Sequence, residues 1–159
     1  MVALAVLVLA LTGLSVVLMR VRTELAEADA RAQDRAAAVR VAASYIVSRL
    51  SISYRTVDQD MRRVLAASTG EARAGYVRDA PALRSATVGN KAVQEVALRA
   101  AGLVAMSEAR DSAEVLVVAD GAIHWDRGKA APQQRFYRWD TKLIKVRGAW
   151  LVAGAEQVR

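Results

Sequence analysis

Two carboxylates, Asp58 and Asp60, and the run His124-Trp125-Asp126 are the residues whose types and spacing come nearest to proton chemistry. Paired carboxylates do general acid–base work when both face one cleft. Two positions apart on a helix they point to different sides. Asp58 and Asp60 therefore read as first-turn residues that suit the helix dipole. His124 and Asp126 share one face of a strand, the arrangement of a base and its orienting acid. A lone histidine at a strand end more commonly has a structural or solvated role, and Asp120-Gly121 reads as a bulge or turn. The rest of the inventory is thin. With no cysteine and one histidine, the chain has no thiol nucleophile, no disulfide framework and no His-pair metal site, and little support for a Ser–His triad. Gly70 and Gly75 are isolated, so no phosphate loop forms. The expected catalytic, cofactor and metal sites are none.

The chain carries 23 Lys+Arg against 16 Asp+Glu, a formal net charge of +7. Such a balance invites a nucleic-acid partner. The arginines are dispersed, however, and aromatic residues are only 5%, too few for base stacking. Arg135, Arg138, Lys142, Lys145 and Arg147 make one basic ribbon, which reads as a solvated sheet face. No nucleic acid is expected.

The elements that must position these residues start with a membrane segment. Residues 2–19 carry no charge. As a helix they span about 27 Å, near the thickness of a hydrocarbon core. The run is long for a signal peptide and lacks a charged n-region, although Ala26-Glu27-Ala28 imitates a cleavage site. An uncleaved anchor over 1–19 is expected. Residues 20–38 are Ala and charged residues around Val21 and Leu25, a helical stalk with little to bury. From Val39 the spacing of Ala43, Ile46, Val47, Leu50 and Tyr54 marks one helical face and the start of a domain over 39–159. Thr56 reads as an N-cap in a capping box with Gln59. Val57, Met61, Val64 and Leu65 form the apolar stripe of that helix, and Gly70 ends it. A third helix follows from Glu71, with Ala74, Tyr76 and Val77 inward, a bend or restart at Pro81, and an end at Gly89-Asn90.

Strands follow over 93–110, 113–125, 135–146 and 150–158, with a loop from Asp126 to Pro132 and a turn at Arg147-Gly148. In the third of them Tyr137, Trp139, Thr141 and Leu143 alternate with Arg138, Asp140 and Lys142. Helices first and strands after indicate an α+β fold. The expected architecture is an NTF2-like (cystatin-like) cone of about three helices on a curved antiparallel sheet of about four strands.

The most specific text in the chain is Tyr54-Arg55-Thr56-Val57-Asp58-Gln59-Asp60-Met61-Arg62-Arg63-Val64-Leu65, followed by Ser68-Thr69-Gly70-Glu71. It resembles the Mce-associated membrane proteins of actinobacteria, which carry an aromatic-x-Thr-Val-Asp-x-Asp segment and then a Thr-Gly. The likeness covers nearly the whole chain. Gly148-Ala149-Trp150-Leu151-Val152 is similar to the last hairpin of that family and of NTF2-like and VirB8-like domains. The chain departs from the pattern at Ala72, where relatives often carry an aromatic.

The resemblance implies a non-catalytic accessory of an Mce-type lipid import complex, for fatty acids or sterols, which stabilises or assembles the transporter. It also implies a single-pass protein of the cytoplasmic membrane with its C-terminal domain outside the cytoplasm. Arg20 and Arg22, directly after the apolar run, give the opposite orientation by the positive-inside rule alone. A basic flank upstream of Met1 would reconcile the two, and the family's orientation is adopted. The interaction residues implied are Tyr54, Thr56, Val57, Asp58, Asp60, Thr69 and Gly70, with Mce transporter proteins as partners. Two other readings share the fold: a small-ligand-binding or isomerase-like cone, and a VirB8-like component of a secretion apparatus. The oligomeric state has no signature in the sequence.

Overall fold

The computed structural model describes residues 2–126 and 131–158. The side chains of residues 2–12, 14 and 16 fall outside the described set. The chain runs α1 (Val2–Leu50), β1 (Ile52–Ser53), α2 (Val57–Ala66), α3 (Gly70–Gly89), β2 (Ala92–Met106), β3 (Ser112–Trp125), β4 (Gln133–Val146) and β5 (Ala149–Gln157). By its contacts it divides into two units, residues 1–34 and 35–159. The expected anchor over residues 2–19 lies largely outside the described side chains. Among the described residues no helix is long and apolar enough to cross a membrane. In the first unit Val17, Leu18, Met19, Val21 and Leu25 are exposed.

The second unit is α+β, as expected, but its antiparallel sheet has five strands in the order β1-β2-β3-β4-β5 rather than four. The additional strand comes from the stretch read as helix. α1 stops at Leu50, and Ile52 and Ser53 pair with Gln94 and Val93. Tyr54 is therefore not on the helical face that includes Ile46 and Leu50. Ile52 is β-branched and two serines flank it, which weakens the helix there.

The core lies between one sheet face and the three helices. Ala113, Val115, Val117 and Ala119 of β3 alternate inward. Beside them are Tyr137, Trp139, Thr141 and Leu143 of β4, the face expected from the alternation. α1 contributes Ala38, Ala42, Tyr45 and Ile46, α2 contributes Val64, and α3 contributes Ala72 and Tyr76. Ala74 and Val77, expected to point inward, are exposed; Ala72 takes their place. α3 continues through Pro81 without a break. Pro81 and Val77, whose carbonyl it leaves unbonded, both face solvent, so water can satisfy that carbonyl.

Bulges interrupt β2 between Leu98 and Ala100 and again between Leu103 and Ala105, and β5 at Ala153, opposite Lys142 and Leu143. Each adds local twist. The β2–β3 turn is tied by Ser107, whose Oγ donates to Asp111 Oδ1 at 2.7 Å and accepts from the Asp111 amide at 3.1 Å. Arg147 and Gly148 both have positive φ, the turn that suits a two-residue hairpin. In the expected loop from Asp126 to Pro132, residues 127–130 lie outside the described residues.

Gly121 is neither a bulge nor a turn. It lies within β3, and a Cβ there would come 2.8 Å from Tyr137 Cε2. Tyr137 is buried, and its hydroxyl accepts from Gln94 Nε2 at 3.0 Å, so the ring has little room to yield. Gly121→Ala should cost about 1–3 kcal/mol, as overpacking does. Chemical denaturation checks this, and a midpoint equal to wild type would show that the ring moves freely.

Candidate functional site

The segment singled out by the sequence forms the corner between β1 and α2. Thr56 is the N-cap, and its carbonyl accepts from the amides of Gln59 and Asp60, both at 2.9 Å. The capping box does not form. The Thr56 amide donates to Ser53 O at 3.0 Å, and its hydroxyl donates to Asp60 Oδ2 at 2.8 Å, one helical turn on. No first-turn amide donates to that hydroxyl. Asp60 also accepts from the Ser53 amide at 3.2 Å and from Arg63 Nη1 at 3.4 Å. Asp60 is buried at 8% exposure, so it is an internal carboxylate and not a solvated dipole residue. Its hydrogen bonds join β1, the cap and α2.

Asp58 points elsewhere, as the spacing requires. Arg84 of α3 grips it side-on, Nε to Oδ1 at 2.8 Å and Nη2 to Oδ2 at 3.3 Å. The hydrogen bond from Arg84 holds the Asp58 carboxyl below the ordinary carboxylate range. Val57, directly before Asp58, is buried.

Tyr54 faces the end of β3. Its hydroxyl donates to Asp126 Oδ2 at 2.8 Å, and Arg55 Nη2 donates to the same oxygen at 2.8 Å. Arg55 Nε donates to the Tyr54 hydroxyl at 2.9 Å, with its guanidinium 5.0 Å from the centre of the Tyr54 ring. The Asp126 carboxylate is thus held by Tyr54 and Arg55, and among the described residues no hydrogen bond joins it to His124. Asp120, within β3, is ion-paired to Arg99.

Thr69 and Gly70 belong to a third contact. The Thr69 amide donates to Val152 O at 2.9 Å, and the Val152 amide donates to Ala67 O at 3.0 Å. These bonds pin the α2–α3 connection to β5. Gly70 is not the C′ residue of α2. α2 ends at Ala66 with Ala67 as its cap, and Gly70 opens α3 with φ +51°, close against Ala153. The sense of its role survives, since a left-handed position favours glycine, but its place is one element later.

The seven residues do not form one site. Thr56 and Asp60 meet; Tyr54, Asp58 and Thr69-Gly70 each fasten a different element. Sequence reasoning missed their partners Ser53, Arg55, Arg84 and Val152, because only the fold brings Arg84 and Val152 to the corner. Arg55 was within the motif and was the one readable signal. Among the described residues no three His, Cys, Asp or Glu side chains cluster as metal ligands would.

Two clefts flank this framework. One of about 200 Å³ lies between the end of α1, α3 and β5. In it the Arg49 guanidinium stands 5.1 Å from the Tyr76 ring and 5.3 Å from the Trp139 ring. Burial pushes the Tyr45 and Tyr76 hydroxyls above their usual range. Glu71, Asp79 and Glu156 line it together with Arg49 and Arg78, so charges of both signs meet there. The second cleft lies between α1, α2 and β5.

Three helices packed on a five-stranded antiparallel meander, with the α2 corner fastened to both ends of the sheet, make this a VirB8-like domain of the NTF2-like fold. The chain is similar to an IcmL-like type IV secretion system protein from Legionella pneumophila, with a TM-score of 0.64 and 10% identity, over 78% of this chain and 91% of that one. It is similar to the Agrobacterium tumefaciens VirB8 protein, with a TM-score of 0.61 and 16% identity, over 79% of this chain and 92% of that one. The periplasmic domain of DotI superposes with a TM-score of 0.63 at 9% identity, over 76% of this chain and 91% of that one. No curated protein matches the sequence. A family model described as "Uncharacterized protein Rv1363c/MT1408-like" matches residues 1–157. The chain belongs to that family, which is of the Mce-associated type.

Two predictions follow from the corner. Asp60→Ala leaves a buried amide and a hydroxyl without their acceptor and should cost about 2–3 kcal/mol in chemical denaturation; a loss below about 0.5 kcal/mol would mean that water replaces the carboxylate. Asp58 acts through pH. Because its folded-state proton affinity is depressed, its contribution is complete above the ordinary carboxylate range and disappears as pH falls through the depressed value. Asp58→Asn should therefore flatten the acid limb of stability against pH while leaving the slope near neutrality unchanged.

Proposed function

We propose that this protein is a non-catalytic accessory of an Mce-type lipid import complex, held in the cytoplasmic membrane by residues 2–19, with its folded domain outside the cytoplasm. The observation that carries the reading is the match of residues 1–157 to a family of Mce-associated type. The chemistry of the corner supports it. Asp58, Asp60 and Asp126 are each bonded to donors of the same chain, as fastening groups are and as a free general base is not. An extracytoplasmic position is supported by the likeness to a periplasmic domain. Mce transporter proteins would be the partners, and the domain would stabilise or assemble them without turnover.

A second reading has its own support. The fold likeness to an IcmL-like protein and to VirB8 fits a component of a secretion apparatus equally well. One experiment separates the two: affinity purification of the full-length protein from its host in mild detergent, with mass spectrometry of what accompanies it. Mce proteins and their permease should co-purify. Recovery of secretion ATPases and channel proteins would favour the second reading, and recovery of the protein alone beside an intact transporter would end the first.

A further inference from the structure

The cleft between α1, α2 and β5 is defined by donors. It has a volume of about 380 Å³ and is lined by Arg40, Ser44, Tyr45 and Ser48 of α1, Arg63 of α2 and Trp150 of β5, with Val41 and Ala67 completing the wall. That volume falls within the range of small-molecule sites. No carboxylate lines it. Arg63 is partly engaged, its Nη1 lying 3.4 Å from Asp60 Oδ1. Arg40 makes no ion pair among the described residues. Ser44 and Ser48 stand one helical turn apart, on the same side of α1 as Arg40.

Val41, Ala67 and Trp150 give the lining its apolar part. Trp150 is 7% exposed, and its indole Nε1 is buried with no hydrogen-bond partner. Lys145 Nζ lies 5.0 Å from the centre of the same ring. The neighbouring cleft at Arg49 is the useful contrast, because three carboxylates line it beside two arginines. A lining that combines cationic and hydroxyl donors with an indole, a valine and an alanine calls for a ligand with two parts: an anionic head and a hydrocarbon body.

We propose that this cleft binds an amphiphilic carboxylate. The head would accept from Arg40, with Arg63 and the Ser44 and Ser48 hydroxyls around it, and the chain would lie against Trp150, Val41 and Ala67. The inference goes beyond the accessory role, because it rests on the lining of the cleft and not on the family.

The test uses full-length protein labelled with ¹⁵N at tryptophan, in a non-ionic detergent. Its indole N–H resonances are assigned by Trp→Phe variants. Titration with octanoate should move the Trp150 resonance saturably and leave Trp139 in place, while octanol and acetate at the same concentrations should not. Arg40→Gln should weaken octanoate about tenfold, the size expected for a lost bond to a charged group, with the indole spectrum of the unliganded protein unchanged. Equal shifts from octanol would show an apolar site without anion recognition, and equal shifts from acetate an anion site without a hydrocarbon wall; either overturns the proposal. So does movement of Trp139 in place of Trp150, or an Arg40→Gln variant that titrates as wild type does. The titration involves no transporter, so its failure leaves the co-purification result standing, and the reverse holds too.

Discussion

A buried carboxylate must be supplied with donors, and Asp60 takes its donors from two successive elements. The Ser53 amide comes from β1, the Thr56 hydroxyl from the cap, and Arg63 from the next turn of α2. The chain must therefore leave α1, make its two-residue strand and turn into α2 at fixed places. β1 in turn sets the edge of the sheet at Val93 and Gln94, and Gln94 donates to Tyr137 across the core face. If the carboxylate were moved, the corner would lose the acceptor that orders it.

Magnitudes separate this interaction from the ion pairs around it. Exposed pairs such as Arg84–Asp58 and Arg55–Asp126 add little, because solvent screens the charges and two long side chains must be held still. A fully buried valine or isoleucine contributes about 1.5–3 kcal/mol. The apolar layer of Ile46, Val64, Val115, Val117 and Val152 therefore holds the domain together, and the surface pairs set the register of one element on the next. Asp60 lies between these classes: its loss would leave desolvated donors behind, which costs more than the bond itself contributes.

The fold was largely legible because its signals are local and periodic. Alternation along β4 identified Tyr137, Trp139, Thr141 and Leu143 as inward, and the 3–4 spacing of α2 identified Val57 and Val64. β1 was not legible: two residues have no period, and their strand state depends on Val93 and Gln94, about forty residues away. The site was legible as text and not as geometry. Thr56 and Asp60 stand one turn apart on paper, but that the pair faces inward is decided by the packing of α2. Asp126 was noticed beside His124, whereas the fold gives it to Tyr54 and Arg55. Of the cleft of Arg40 and Trp150 only the Arg40, Ser44 and Ser48 spacing on α1 was readable; Arg63 and Trp150 reach it through the fold.

The shortness of β1 has a consequence at the rim of the sheet. Among the described residues, no strand pairs with the outer side of β2 from Glu95 to Met106. A long apolar edge of this kind is a template for intermolecular pairing. The two irregularities, after Leu98 and after Leu103, divide it into short pieces, and the charged Arg99 is the residue left out of register at the first. A strand arriving from another molecule would have to break step twice within twelve residues. The same bulges that twist the sheet over its helices therefore also protect the domain from templated aggregation.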